Sequence, residues 1–278
     1  MIPPEFDYVA PDTLDEVLQA LRGSEDAKVL AGGHSLLPLM KLRLAAPAML
    51  VDIRKVPGLR GAQRENGQWK IGALTRHADL QGNAELGPVG KAAALIADQQ
   101  VRNRGTIGGS LAHGDPASDL PTVLLACEGS VTVTGEGGTR EIVAADLFQD
   151  YLTTAVGDDE VLTEVRVPDF GGWGSSYVKF ARRAEDWAMV AVCAMVKKAG
   201  DGSLEDVRVA LTNMGSTPLR ATATEQALRG KGADAIAAAA EQAAEGTDPP
   251  GDLNASPDYK RHLARVLTRR ALEEAAAG

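Results

Sequence analysis

The sequence predicts an α+β protein, a mixed half of about 170 residues followed by a strands-then-helices domain of about 100. Three observations carry this. Strand-like and helical patterns in the first half do not alternate in the strict order that a doubly wound parallel sheet requires. The stretch FGGWGSS, residues 170–176, is the best linker in the chain. Beyond it, three strand-like runs precede two alanine-rich helical runs.

Each element has a local reason. LDEVLQALR (14–22) has the 3.6-residue apolar spacing of an amphipathic helix, with Asp12 and Thr13 as caps before it. AKVLAGG is a short buried strand ending in a glycine loop, and MLVDI (49–53) is another. QWKIGALT (68–75) alternates like a strand, with Thr75 placed to cap a helix beginning RHADL. PVGKAAALIAD (88–98) reads as helix and runs into a second glycine segment, GTIGGSLAHGDPASDLP (105–121). TVLLAC continues as helix, with Asp119 near its start and Pro121 in its first turn. SVTVTG and TREIVA form a hairpin around Gly135, Gly137 and Gly138, and DEVLTEVRVP (159–168) is a strand closing on Pro168.

In the second domain SYVKFARR, MVAVCAMVKKAG and LEDVRVALTNMG read as three antiparallel strands. The helical runs 220–245 and 257–275 are divided by GTDPPGD, and the alanine-rich 233–244 is a small-residue packing face.

Composition bounds function. The 278 residues are 44% hydrophobic and 24% charged, ordinary for a globular protein, and length alone leaves one or two domains open. The net charge of −9, with no basic stripe, argues against nucleic-acid binding. No apolar run approaches a membrane span, and MIPPEFDYVAPD lacks the pattern of a signal peptide, so a cytoplasmic location is expected. Cys127 and Cys193 sit in apolar surroundings as buried small hydrophobes. Two cysteines supply neither an iron–sulfur cluster nor a structural zinc, and the histidines have no metal-ligand spacing.

Two glycine segments stand about 75 residues apart, AGGHSLLPLMK and TIGGSLAHGDP. Neither has the spacing of a P-loop or of a Rossmann fingerprint. Exposed N–H groups around glycines make concavities that hold anions, above all phosphate, and Ser35, Thr106 and Ser110 add hydroxyls. On the residues alone, a two-sided pyrophosphate site and a pair of glycine-rich turns are both open.

AGGHSLLPLMK followed by TIGGSLAHGDPASDLP resembles the FAD-binding medium subunit of the molybdenum hydroxylases, the group of carbon monoxide dehydrogenase and xanthine dehydrogenase. The resemblance extends over essentially the whole chain, from FDYVAPDTLDEVLQAL to KFARRAEDWAMV. It implies a two-subdomain FAD-binding fold of the vanillyl-alcohol-oxidase type over 1–170, and a small antiparallel-sheet-plus-helices domain over 175–278. It also implies that Val29, Leu30, Ala31, Gly32, Gly33, His34, Ser35 and Leu36 wrap the FAD pyrophosphate. Thr106, Ile107, Gly108, Gly109 and Ser110 then supply opposing donors, Ser110 standing where the family usually has Asn. Asp119 matches a position that accepts from sugar or ribityl hydroxyls, and Ile96 and Leu162 match positions lining the cofactor. Lys179 matches a lysine near the flavin and Trp187 a residue bordering the isoalloxazine, while Asp115 is a turn former and Arg182 and Arg183 are surface residues.

The implied function is electron transfer through non-covalent FAD, with no catalytic or metal-ligating residue in this chain. A small partner subunit would carry two two-iron two-sulfur clusters and a large one the molybdopterin, assembled as a dimer of heterotrimers. A self-contained FAD oxidase of the same fold is the alternative, disfavoured by the short second domain. Carbon monoxide, an aldehyde, a purine or an N-heterocycle all remain open as substrates of the complex, because the large subunit chooses among them. The external acceptor, whether NAD, a quinone, a cytochrome or oxygen, is open too.

Overall fold

The computed structural model describes residues 2–278. The chain opens with β1 (Asp7–Val9), α1 (Leu14–Arg22), β2 (Ala27–Leu30), α2 (Leu36–Lys41) and β3 (Met49–Asp52). These strands form a parallel sheet in the order β1-β3-β2, so the first fifty residues do alternate strand and helix, and only these. The helix α1 forms because Val17, Leu18 and Leu21 bury one face, and because a capping box closes its start. Thr13 Oγ1 accepts from the Glu16 N–H, and the Glu16 carboxylate accepts from the Thr13 N–H.

The second unit contains β4 (Ala62–Glu65), β5 (Gln68–Gly72), α3 (His77–Leu80), α4 (Pro88–Ala94), α5 (Gln99–Arg102), α6 (Ile107–His113), α7 (Asp119–Ala126), β6 (Ser130–Gly135), β7 (Gly138–Val143), α8 (Ala144–Leu147), β8 (Phe148–Asp150), β9 (Thr153–Thr154) and β10 (Val161–Pro168). The sheet is antiparallel, in the order β4-β5-β10-β6-β7. Three local expectations are corrected here. Arg76, not Thr75, precedes α3, because the Thr75 hydroxyl is engaged with both backbone groups of Gly61. The helix expected over 88–98 stops at Ala94; Ala97 is left-handed (φ 41°), and Arg102 takes the carbonyls of Ile96 and Ala97. The second glycine segment is the first turn of a helix, not a loop, since Thr106 is the N-cap of α6.

The C-terminal unit holds β11 (Trp173–Phe180), β12 (Val190–Lys198), β13 (Leu204–Thr212), β14 (Leu219–Arg220), α9 (Thr222–Leu228), α10 (Ile236–Ala240) and α11 (Pro257–Ala277). Its antiparallel sheet has four strands rather than three, because the two-residue β14 pairs with Ala210 and Leu211. The first alanine-rich run is not one helix: it breaks at Gly230 (φ 74°) and resumes through a 3-10 turn at Ala233–Ala235.

The central strand β12 shows why its sequence is continuously apolar. Val190, Val192, Ala194 and Val196 pack toward α9 and α11, whereas Ala191, Cys193 and Met195 join the core of the second unit. Both faces are buried, so no polar alternation survives. Cys127 and Cys193 are both fully buried free thiols in that shared core, and burial pushes the Cys193 thiol up to about 12. The chain between the units is pinned as well, with Trp173 edge-on to Phe170 and beneath the Arg208 guanidinium.

Candidate functional site: two glycine segments and a buried ion pair

The first glycine segment leaves the carboxyl end of β2, the edge of a parallel sheet where loops are free to bind ligands. None of the backbone N–H groups from Ala31 to Leu36 donates to an acceptor in the chain among the described residues. Ser35 occupies the N-cap of α2 yet makes no side-chain cap bond, so its hydroxyl also points nowhere within the protein. The run is a half-buried cradle, so its N–H groups are left to solvent or to a ligand's acceptors.

The two glycines have different physical reasons. Gly33 has φ +81°, a region L side chains rarely adopt, and it lets the chain curl so that successive N–H groups converge. At Gly32 a Cβ would stand 2.5 Å from the Arg104 carbonyl and 2.8 Å from the Gly105 Cα, so this glycine lets the second segment press directly on the first.

The second segment works differently from expectation. The Ile107 N–H donates to the Thr75 carbonyl (3.0 Å), Gly108 to the Ala73 carbonyl (2.9 Å), Gly109 to Thr106 Oγ1 (3.2 Å) and Ser110 to the Thr106 carbonyl (3.0 Å). The segment therefore has four of its five amides engaged by the fold, and only the Thr106 N–H has no acceptor within the chain among the described residues. It offers instead the Ser110 hydroxyl and the bare face of Gly109, where an added Cβ would meet only Thr106 Oγ1 and, at 3.7 Å, the Ala31 Cβ.

Behind this junction lies His77, 5% exposed, packed so closely that a Cβ on Gly105 would fall 2.9 Å from its Nε2. Its Nδ1 has no hydrogen-bond partner. Burial, aided by the positive charge of His34 and Arg102, pushes the imidazole down to about 4. His34 itself is exposed on the first segment, and His113 and His262 are remote from it in sequence. Asp52, the register partner of Leu30, is also buried. Burial alone would raise its carboxyl, but Arg54 and the Tyr8 hydroxyl outweigh that and hold it at about 2.

A second cluster joins the two larger units. Asp119, at the start of α7, is 4% exposed, and both its carboxylate oxygens are occupied. The Tyr177 hydroxyl donates to Oδ1 (2.7 Å) and the Lys179 ammonium to Oδ2 (3.0 Å). Lys179 also donates to the Leu95 carbonyl at 3.1 Å and keeps only 6% of its side chain exposed. Burial pushes the Asp119 carboxyl up, while Lys179 and Tyr177 pull it back. The structure thus brings Asp119, Lys179 and the chain beside Ile96 together. Tyr177 and Lys179 each take one acceptor site of Asp119, one on each oxygen, out of about four that a carboxylate offers. Ile96 is half-buried against the main core and Leu162 lies within it, 6% exposed. Trp187 is 55% exposed on the loop between β11 and β12, with Arg182 and Arg183 exposed on the same loop. Asp115 turns the chain by accepting from the Ala117 N–H.

Tyr177 and His77 were not singled out in the sequence. Tyr177 had a signal, since it lies two residues before Lys179 on a strand and so shares its face. His77 had none. Among the described residues no group of three or more His, Cys, Asp or Glu side chains is arranged to hold a metal ion, and no helix is long and apolar enough to cross a membrane.

Residues 4–170 match the family described as the FAD binding domain in molybdopterin dehydrogenase, and residues 175–275 match the CO dehydrogenase flavoprotein C-terminal domain. The chain is 43% identical to the carbon monoxide dehydrogenase medium chain of Hydrogenophaga pseudoflava, over 99% of this chain and 98% of that one. It is 36% identical to the glyceraldehyde dehydrogenase medium chain of Sulfolobus acidocaldarius, over 99% of this chain and 100% of that one. Its fold superimposes on the structure of the Hydrogenophaga pseudoflava carbon monoxide dehydrogenase lacking the Mo-pyranopterin moiety with a TM-score of 0.96, at 44% identity, covering 100% of this chain and 99% of that one. A flavoprotein with this two-part architecture is an oxidoreductase subunit. The chain belongs to the family of FAD-binding medium subunits of the molybdenum hydroxylases.

Proposed function

We propose that this chain is the electron-transfer subunit of a heteromeric molybdenum hydroxylase, holding FAD non-covalently between iron–sulfur donors in a small subunit and an external acceptor. The observation that supports it most is the run of unengaged N–H groups from Ala31 to Leu36. A diphosphate presents the dense set of anionic acceptors that such a run lacks, and the residues present fit it. When bound, FAD supplies the conversion between one- and two-electron transfer that no side chain here provides.

The chain's own residues do the rest. Gly33 shapes the cradle, Ser35 and Ser110 add hydroxyl donors from its two sides, and Gly32 and Gly109 keep side chains out of the space between them. His34, exposed on the cradle itself, is positioned to meet the diphosphate from solvent. Tyr177 fixes the Asp119 carboxylate and Asp119 in turn holds the Lys179 ammonium in one place, so the cluster would border the ring as an ordered, charge-balanced group of donors. Ile96, Leu162 and Trp187, matched to family positions that line the cofactor, would supply apolar contacts to it. In this reading electron transfer calls on no acid–base or nucleophilic residue of the chain.

The large subunit would carry the molybdopterin and choose the substrate, the whole assembling as a dimer of heterotrimers in the cytoplasm. Medium chains acting with different substrates share this fold, as carbon monoxide and glyceraldehyde dehydrogenases do. The test is to purify the chain with co-expressed partner subunits, record its visible spectrum and identify the flavin released on denaturation. FAD near one per chain is expected. A folded, assembled chain that refuses added FAD would sink the reading.

A further inference from the structure

We propose that the exposed tetrapeptide Lys41–Leu42–Arg43–Leu44, at the C-terminal end of α2, is a docking knob for an apolar recess rimmed by carboxylates on a neighbouring subunit of the complex. The proposal rests on the reading of this chain as one subunit of a heteromeric enzyme.

The helix α2 ends in a Schellman turn. The Arg43 N–H bonds the Met40 carbonyl at 3.0 Å, and the Leu44 N–H reaches back to the Leu39 carbonyl at 2.9 Å. That turn needs a left-handed residue at its corner, a place glycine fills without strain, and this chain has Arg43 there at φ 60°. The residue after the corner normally folds back onto the helix as its apolar seal. Here Leu44 is 73% exposed, and Leu42 before the corner is 57% exposed. Two local rules are broken together, which is the mark of a segment kept for its side chains.

The charges point the same way. Lys41 and Arg43 are exposed, and among the described residues neither has a carboxylate within ion-pair distance, although most basic residues of β10, β13 and α11 do. A chain of net charge −9 thus offers two unpaired cations interleaved with two bare leucines. Apolar anchors inside a ring of complementary charge are what a specific interface uses, the charges setting orientation and encounter rate. A second copy of this chain meeting the patch symmetrically would oppose four cations, so the complementary surface belongs to a different subunit. The position is useful, because α2 runs from the Ala31–Leu36 cradle to the knob in six residues, roughly 9 Å of helix rise.

The experiment is assembly of the full chain with its co-expressed partner subunits, read by size-exclusion chromatography with light scattering at low and high salt. Three variants are compared with wild type, K41E/R43E, L42S/L44S and R43G. Charge reversal is expected to weaken assembly at least tenfold at low salt, and less at high salt. L42S/L44S is expected to weaken it with the salt dependence unchanged. R43G relieves the corner, so it is expected to melt no lower than wild type and yet assemble several-fold more weakly, which a purely structural role would not produce. Wild-type assembly by all three variants overturns the inference alone. Loss of self-association without loss of partner binding overturns it in favour of a second copy. Wild-type binding to phosphatidylglycerol vesicles that the variants lose overturns it in favour of a membrane surface. If wild type itself fails to assemble with its partners, the subunit reading falls with it.

Discussion

The buried pair Asp119–Lys179 is where single residues matter most. Removing one member of a buried pair leaves an uncompensated charge, a loss of about 3–5 kcal/mol, whereas a hydrogen bond to a charged group, such as that from Tyr177 to Asp119, is worth about 1.5–3 kcal/mol. Lys179→Met is therefore expected to destabilise the chain more than Tyr177→Phe in urea denaturation, by about 2 kcal/mol. Combining Lys179→Met with Asp119→Asn is expected to recover part of the loss, since neither charge is then stranded. Equal effects of the two single variants would contradict the pairing seen at 3.0 Å.

His77 makes the second prediction at this scale. Its folded value, about 4, lies below the ordinary 6.5, so the fold prefers the neutral ring. That preference is fully expressed above pH 6.5 and is lost as pH falls from 6.5 toward 4, a loss of up to about 3 kcal/mol. Asp52 adds a loss at lower pH, from 3.8 toward 2, whereas the raised Asp119 carboxyl works in the opposite direction. Comparing wild type with His77→Gln removes these shared contributions. The urea midpoint of the variant is expected to stay flatter between pH 6.5 and 4; parallel curves would mean that His77 is not the titrating group.

At the scale of elements, sequence legibility tracked how local the cause was. The helix α1 was readable because its cap, Thr13 with Glu16, and its apolar face lie within ten residues of one another. Thr13→Ala is expected to cost about 1 kcal/mol, measured as a shift in the thermal midpoint, with no effect on flavin content. The strand β12 was readable because both its faces are buried. The start of α6 was not, because a glycine-rich stretch has poor helix propensity, and what fixes it is Thr75 and Ala73 accepting from Ile107 and Gly108. The same tertiary bonds engage the Ile107 and Gly108 amides, two of the five expected to face a phosphate. The strand β14 and the break at Gly230 escaped for a like reason, since each is set by packing against β13 rather than by its own composition.

For the whole molecule, the cofactor class was legible through the family resemblance that the two glycine segments carry, while their spacing alone left plain turns open and the arrangement of charges was not legible at all. Asp119 and Lys179 are 60 positions apart, and only the packing of α4 against both β11 and α7, with α7 on the sheet that contains β12 and β13, brings them together. Their pairing is a feature of the packed chain that neither residue's local sequence carries. The shared core carrying Tyr177, Cys193 and Met195 makes the C-terminal unit part of the same packing as the sheet that contains β10. A change in that core is therefore expected to reach flavin binding. Met195→Ala, which opens a cavity costing about 2–5 kcal/mol, is expected to lower flavin retention as well as stability. Unchanged retention at full occupancy would place the flavin away from this junction.

The central claim is that the Ala31–Leu36 backbone holds a diphosphate. The most direct measurement is the affinity of the flavin-free chain, within its complex, for FAD against riboflavin, which shares the ring and lacks the diphosphate. Phosphate contacts through several N–H groups predict FAD binding at least a hundredfold tighter, a difference of about 3 kcal/mol, with pyrophosphate or ADP competing. Equal affinity for FAD and riboflavin, with no competition by pyrophosphate, would contradict the account.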